Sequence, residues 1–169
     1  RLTNPNGTND NIAWKWSDGT TADNATYPTV TFDGTWDGSG TFRLTEKRQC
    51  VTFSGNISGW DGAFDYRGQH GTKLTFTGNA TTVNAAILNN GTNDASKAWK
   101  QFHLIVDNNA AFSKAVGAYT LDITANHTAT FGGTTNIANG VTLNSGSTLV
   151  NTGTMTLGGT IVFGENSIQ

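Results

Sequence analysis

Between Gly132 and Gly164 the chain reads GGTTNIANGVTLNSGSTLVNTGTMTLGGTIVFG, without a single charged side chain. Gly133, Gly140, Gly146, Gly153 and Gly159 recur there at spacings of 7, 6, 7 and 6. Short apolar clusters lie between them, alternating with Thr and Asn. Alternation of period two puts Val141 with Leu143, Met155 with Leu157, and Ile161 with Phe163 on one side of a strand, and the threonines on the other. A unit this short cannot bury its own apolar side. Neighbours must cover it, and a solenoid does so by pairing each strand with the corresponding strand of the adjacent coil. Glycine permits the tight corners, and Thr and Asn stack as hydrogen-bonding ladders. The spacing therefore predicts an all-β, parallel β-solenoid. The alternative is an antiparallel β-sandwich or meander, with Asn139-Gly140 as a two-residue hairpin loop.

The rest of the 169-residue chain is also β in character. Only 13% of its residues are charged, against roughly 25% in an ordinary domain. With 36% hydrophobic residues, five Trp and nine Phe, it is not a disordered composition. Strand-like runs separated by Gly, Asn or Asp turns are IAWKW (12–16), TVTF (29–32), TFRLT (41–45), CVTF (50–53), AFDY (63–66), KLTF (73–76), TVNAAIL (82–88), WKQFHLIV (99–106), AYTLDIT (118–124) and HTATF (127–131). NNAAFSKAV (108–116), Ala-rich and without strict alternation, predicts a short helical turn. Two parts are expected: an aromatic-rich β domain or cap over 1–107, and a short-coil solenoid over 108–169.

The charge balance excludes some partners. A net charge of −2 argues against nucleic acid, because phosphate binding needs surplus Lys and Arg. The basic cluster Arg43, Lys47 and Arg48 reads as a solvated loop or strand end. Cys50, the lone cysteine, cannot form an internal disulfide, and inside QCVTF it reads as a small buried hydrophobe. No apolar run approaches the roughly 20 residues that span a bilayer. A start at Arg1 without a signal peptide reads as a mature or truncated form of an exported protein.

Two stretches carry a resemblance. FSGNISG (Phe53 to Gly59) and GTKLTFTGNAT (Gly71 to Thr81), within residues 53–88, resemble the autotransporter-associated β-strand repeat. That pattern runs F-S-G-x-I-S-G, a short strand, then G-x-G-T-L-T-L-T-G-N-N-T. After it the family has Y-x-G-G-T-T-x-I-x-x-G-x-L, where this chain has TTVNAAILNNGTNDASKAWKQFHLIV. A counterpart of the missing half follows later as FGGTTNIANGVTLN (131–144). The resemblance implies a secreted or surface-displayed bacterial passenger on a right-handed parallel β-helix. Members act as adhesins or stalks, and some carry hydrolase domains. The repeat carries no chemistry that transfers residue by residue.

Candidate chemistry lies first in the acidic loops. Asp18-Gly19-Thr20, Asp33-Gly34-Thr35 and Asp37-Gly38-Ser39 repeat one pattern. An aspartic protease needs two carboxylates about 3 Å apart sharing a proton. Its usual Asp-Thr-Gly or Asp-Ser-Gly is absent, so catalysis would rest on folding Asp18 against Asp33 or Asp37. Asp-Gly also simply marks turns. Asp33, Asp37, Asp61 and Asp65 are the corresponding candidates for Ca²⁺, although their spacing fits neither the EF-hand nor the nonapeptide repeat. His70, His103 and His127 show no metal-ligand spacing, so no metal site is assigned. All five Trp lie in the first 99 residues. Trp14 and Trp16, alternating across Lys15, form with Trp36 or Trp60 a candidate sugar-stacking platform, or else a packed core or cap closing the coil end.

Three functions follow as expectations. The first is a secreted or surface-displayed bacterial module that binds host glycoproteins or glycans, or serves as their scaffold. The second is a secreted hydrolase, an aspartic-type protease acting on mucin-like glycoproteins. The third is a ligand-free stalk.

Overall fold

The computed structural model describes residues 29–45, 49–68, 71–96 and 100–165. They build a parallel β-solenoid of about 6 turns. The chain visits three faces in turn. On the first lie β1 (Thr29–Phe32), β4 (Gln49–Phe53), β7 (Thr72–Thr77), β10 (Phe102–Asp107), the later halves of β12 (Val116–Ile123) and β14 (Thr135–Leu143), and β17 (Thr160–Phe163). The second carries β2 (Asp37–Gly38) paired with β5 (Gly59–Trp60), and then β8 (Thr82–Val83), β11 (Ala110–Phe112), β13 (Thr128–Phe131) and β15 (Thr148–Asn151). The third carries β3 (Thr41–Leu44), β6 (Ala63–Tyr66), β9 (Ala86–Asn89), the early halves of β12 and β14, and β16 (Met155–Leu157). In β12 the third face runs directly into the first face of the next coil, bending where the register against β14 shifts between Ala118 and Thr120.

Every described pairing is parallel, which overturns the antiparallel alternative. Phe32, Phe53, Phe76, Val106, Ile123, Leu143 and Phe163 stand in register on the first face. The intervals between them, 21, 23, 30, 17, 20 and 20 residues, are the coil lengths. Three glycine-bounded units of the tail thus make one coil, and each strand's partner lies three units away. Gly153 sits on the carbonyl of Gly133, its equivalent one coil earlier, where a Cβ would overlap. Gly159 has φ 70, and a Cβ there would run into the Asn139 carbonyl. The one long interval contains the long connection between β9, which ends at Asn89, and β10, which begins at Phe102.

Parallel register places equivalent side chains one strand spacing apart, about 4.8 Å. Inward aromatic rings therefore stack in columns. Phe32 and Phe53 stack at 5.1 Å, Phe53 and Phe76 at 6.0 Å, and Phe112 and Phe131 at 4.9 Å. Tyr66 stacks on Phe102 at 5.0 Å. One core cluster runs from Leu44 to Leu143.

The helical turn expected over 108–116 is a correction. Residues 110–112 are β11, with Ala110 and Phe112 inward and Ala111 outward. Alanine's helix propensity is weak beside the ladder that pairs Ala110 with Ala129 and Phe112 with Phe131. Coils are not confined to 108–169 either. They are in place from Thr29, and β10 pairs directly with β12. The run IAWKW (12–16) lies outside the described residues.

The first-face column makes a graded prediction. Phe53 is fully buried between two rings, so Phe53→Ala should cost about 3–5 kcal/mol. Phe163 is exposed in the last described coil, so Phe163→Ala should cost less than about 1 kcal/mol. Urea unfolding of both variants reads this directly, and equal losses would exclude the column.

Candidate functional site

One polar row follows the first face at its corner with the second. The residues just past the inward Phe32, Phe53, Phe76, Val106, Ile123 and Leu143 are Asp33, Ser54, Thr77, Asp107, Thr124 and Asn144. Here each strand leaves the sheet, and its last carbonyl needs a donor. Backbone N–H groups of the next coil supply one: Ser54 N–H to Phe32 O at 2.9 Å, Thr124 N–H to Val106 O at 3.0 Å, and Asn144 N–H to Ile123 O at 3.1 Å. Side chains repeat the gesture, with Asn144 Nδ2 donating to Ile123 O at 2.8 Å and Thr77 Oγ1 to Asp107 O at 3.1 Å.

Asp107 is the centre of this row. Thr77 Oγ1 lies 3.2 Å from its Oδ2, and Thr124 Oγ1 lies 2.6 Å from its Oδ1. His127 Nδ1 lies 2.8 Å from Thr124 Oγ1 and 3.9 Å from Asp107 Oδ1. A carboxylate only accepts, so Thr124 donates to Asp107 and its lone pair receives the His127 Nδ1–H. The hydroxyl proton therefore points away from the imidazole. This is a hydrogen-bonding array, not a nucleophile activated by a base. Asp107 and His127 are partly exposed, so their remaining acceptor and donor capacity faces solvent. One coil on, Asn144 Nδ2 also donates to Asp122 Oδ1 at 2.6 Å.

The residues singled out in the sequence are scattered over the coils. Asp18, Trp14 and Trp16 lie outside the described residues. Asp33 heads the polar row, exposed, three coils from Asp107 and so about 14 Å away along the stack. Asp37 is exposed on β2, in register with Gly59. Asp61 pairs with Lys114. Asp65 is buried on the third face, where Arg67 Nε at 2.6 Å and Asn90 Nδ2 at 2.9 Å hold it. The four acids considered for Ca²⁺ thus lie two to a coil at different points of the perimeter, because the turns that carry them are spread around it. Among the described residues no group of three or more His, Cys, Asp or Glu is arranged to hold a metal.

Trp36 and Trp60 do meet, with ring centroids 5.8 Å apart and planes at 76°. Trp36 also touches Phe32 and Phe53 at 4.9 Å and Phe42 at 5.8 Å. Both indoles are half-buried against the core, so their faces serve the aromatic packing of the first two coils. Cys50 is half-buried on the outer side of the first face, beside Thr29 and Lys73. Burial raises its thiol pKa, against lowering by the Lys73 charge and a Thr29 hydrogen bond, so it stays protonated at neutral pH. His103 is a strand residue, its Nδ1 2.6 Å from Thr120 Oγ1.

The Asp107 array escaped the sequence reading because its members lie 30, 17 and 20 residues from Asp107 and carry no motif. A signal exists once coil lengths are known: each follows an inward apolar residue by one position, or by four for His127. Among the described residues no helix is long and apolar enough to cross a membrane. No family model, curated protein or solved structure matches the chain.

Tyr66 yields a pH prediction. Its ring is buried, its hydroxyl donates to Thr92 O at 3.2 Å, and burial pushes its pKa up to about 12. The folded value lies above the unfolded one of about 10, so the contribution is intact below pH 10 and disappears as the pH rises through about 12. Unfolding midpoints should fall over that window, and the fall should be smaller in Tyr66→Phe. An identical decline in the variant would remove Tyr66 as its cause.

Proposed function

We propose that the chain is a rigid scaffold segment of a secreted or surface-displayed bacterial protein. The observation that carries this reading is the parallel first-face ladder from Thr29 to Phe163, over one core cluster that runs from Leu44 to Leu143. Such a stack transmits position along its axis, since each coil is held by its neighbours through the continuous ladder of the first face and further pairings on the other two. The scarcity of charge and the resemblance of residues 53–88 and 131–144 to passenger repeats support the location. Placed between an outer-membrane anchor and an epitope tag, the segment should display the tag on intact cells and resist added protease. Phe112→Asp, which puts a charge into a column, should make the displayed segment protease-sensitive. Equal resistance in both would overturn the scaffold reading.

A second reading, contact with host glycoproteins or glycans, is favoured by the Asp107 corner more than by the tryptophans. A carboxylate, two hydroxyls, an imidazole and an amide in one solvent-facing row are groups that exchange hydrogen bonds with sugar hydroxyls. Trp36 and Trp60 are occupied by the core. Mucin pull-down and glycan arrays should register binding that Asp107→Ala reduces and Trp36→Phe leaves unchanged. Binding indifferent to Asp107 would discard this corner as its site.

A further inference from the structure

The cations of the described chain gather at one corner. Four of the five described Lys and Arg residues, Arg43, Arg67, Lys73 and Lys100, lie where the third face turns into the first. They occupy three successive coils. Arg43 is exposed on β3, in register with Asp65. Arg67 leaves β6 one coil on, with its N–H on Leu44 O at 3.0 Å. Lys73 stands on the outward side of β7, in register with Cys50 and His103. Lys100 belongs to the next coil, two residues before β10. Of the eight described acids, only Asp65 and Asp94 share this corner. Asp65 is buried and held by Arg67 and Asn90, and Asp94 Oδ1 accepts from Ser96 N–H at 3.0 Å and Ser96 Oγ at 2.6 Å. The long connection from β9 to β10 holds its own shape here. Thr92 N–H donates to Gly68 O at 2.9 Å, Asp94 N–H to Lys100 O at 3.0 Å, and Phe102 N–H to Asn93 Oδ1 at 2.8 Å. Long ordered connections of this kind commonly carry binding surfaces.

We propose that this corner binds an acidic polysaccharide through its sulfate or carboxylate groups. The inference rests on the reading that the chain meets glycans, and it names a charged class of them at a corner separate from Asp107. In a chain with only 13% charged residues, cations collected on adjacent coils repel one another, and an anion lying across them relieves that repulsion. Arg67 gives its Nε to Asp65, yet its side chain is 55% exposed, so the outer N–H groups of the guanidinium remain for a ligand. Spacing selects the kind of polyanion. Successive coils set the cations about 4.8 Å apart along the axis. Duplex nucleic acid presents a charge every ~1.7 Å and calls for a denser row. Single strands need exposed rings to stack on, whereas Tyr66 and Phe102, the described aromatic residues here, stack on each other in the core. A lipid surface needs apolar side chains beside the cations. The exposed large apolar residues among those described, Leu157, Ile161, Val162 and Phe163, lie three coils beyond β9 and β10.

Equilibrium binding of the full chain to dextran sulfate tests this. The wild type should bind, and its affinity should fall steeply between about 50 and 200 mM salt, because bound anions release counterions. The double variant Arg43→Gln, Lys73→Gln should bind roughly tenfold more weakly or worse, with a shallower salt dependence. Both side chains lie outside the core, so circular dichroism should be unchanged. The charge-keeping pair Arg43→Lys, Lys73→Arg should retain most of the affinity, which separates lost charge from lost fold. Lys114→Gln removes the same charge at another corner, where Lys114 pairs with Asp61, and should bind like the wild type. Absence of salt-dependent binding, full affinity in the Arg43→Gln, Lys73→Gln variant, or an equal loss in Lys114→Gln overturns the proposal. Tighter binding of duplex DNA or of phosphatidylserine vesicles, at equal charge concentration, overturns it also. Mucin binding that depends on Asp107 would survive each of these results, so this corner and the glycan reading fail separately.

Discussion

The structure depends on one constraint: each coil must lie in parallel register on the one before it. No coil of 17 to 30 residues encloses a core by itself. The strand spacing of about 4.8 Å does two things at once. It satisfies the backbone on every face, and it brings equivalent inward side chains into van der Waals contact. The Phe32–Phe53–Phe76 column and the Phe112–Phe131 pair follow from that spacing, since flat rings stack at nearly the same distance.

The same register explains why the chain carries so little charge. Any residue on an outer row faces its equivalents in the coils above and below. Like charges at that distance would repel all along the stack. The charges that do occur on paired strands meet neutral or opposite neighbours. Arg43 stands beside Asp65, Lys73 lies between Cys50 and His103, and Asp122 lies between Ile105 and Thr142. Thr and Asn fill the remaining rows, because each can both donate and accept toward an identical neighbour. The Asp107 corner is a local variation on that rule, in which a carboxylate replaces one hydroxyl and draws donors from the coils on both sides.

How far the architecture could be read from the chain differed by region. In Gly132–Gly164 the period of the glycines and the alternation of Val141, Leu143, Ile161 and Phe163 pointed to short stacked strands, and these formed. Over residues 29–107 the strands were visible one by one, but the irregular connections hid their common period. Residues 90–101 lengthen one coil enough to break any repeat count. Residues 108–116 looked helical because Ala110, Ala111 and Ala115 favour a helix locally, while the second-face ladder sets Ala110 against Ala129 and Phe112 against Phe131. Trp14 and Trp16, which the sequence reading paired with Trp36 or Trp60, lie outside the described residues, and Trp36 and Trp60 pack against each other and the core.

The sequence by itself determined the strand as the local structure, the side of each strand that turns inward, and the solenoid as the way to cover it. Those depend on neighbours within a few residues and on a repeat length that glycine marks. Only the tertiary structure decided which residues share a corner. Thr77, Asp107 and Thr124 meet because insertions and turns of unequal length sum to particular coil circumferences. That sum is a property of the closed coil, so no local pattern carries it, and the polar array and the scattered acids both depend on it.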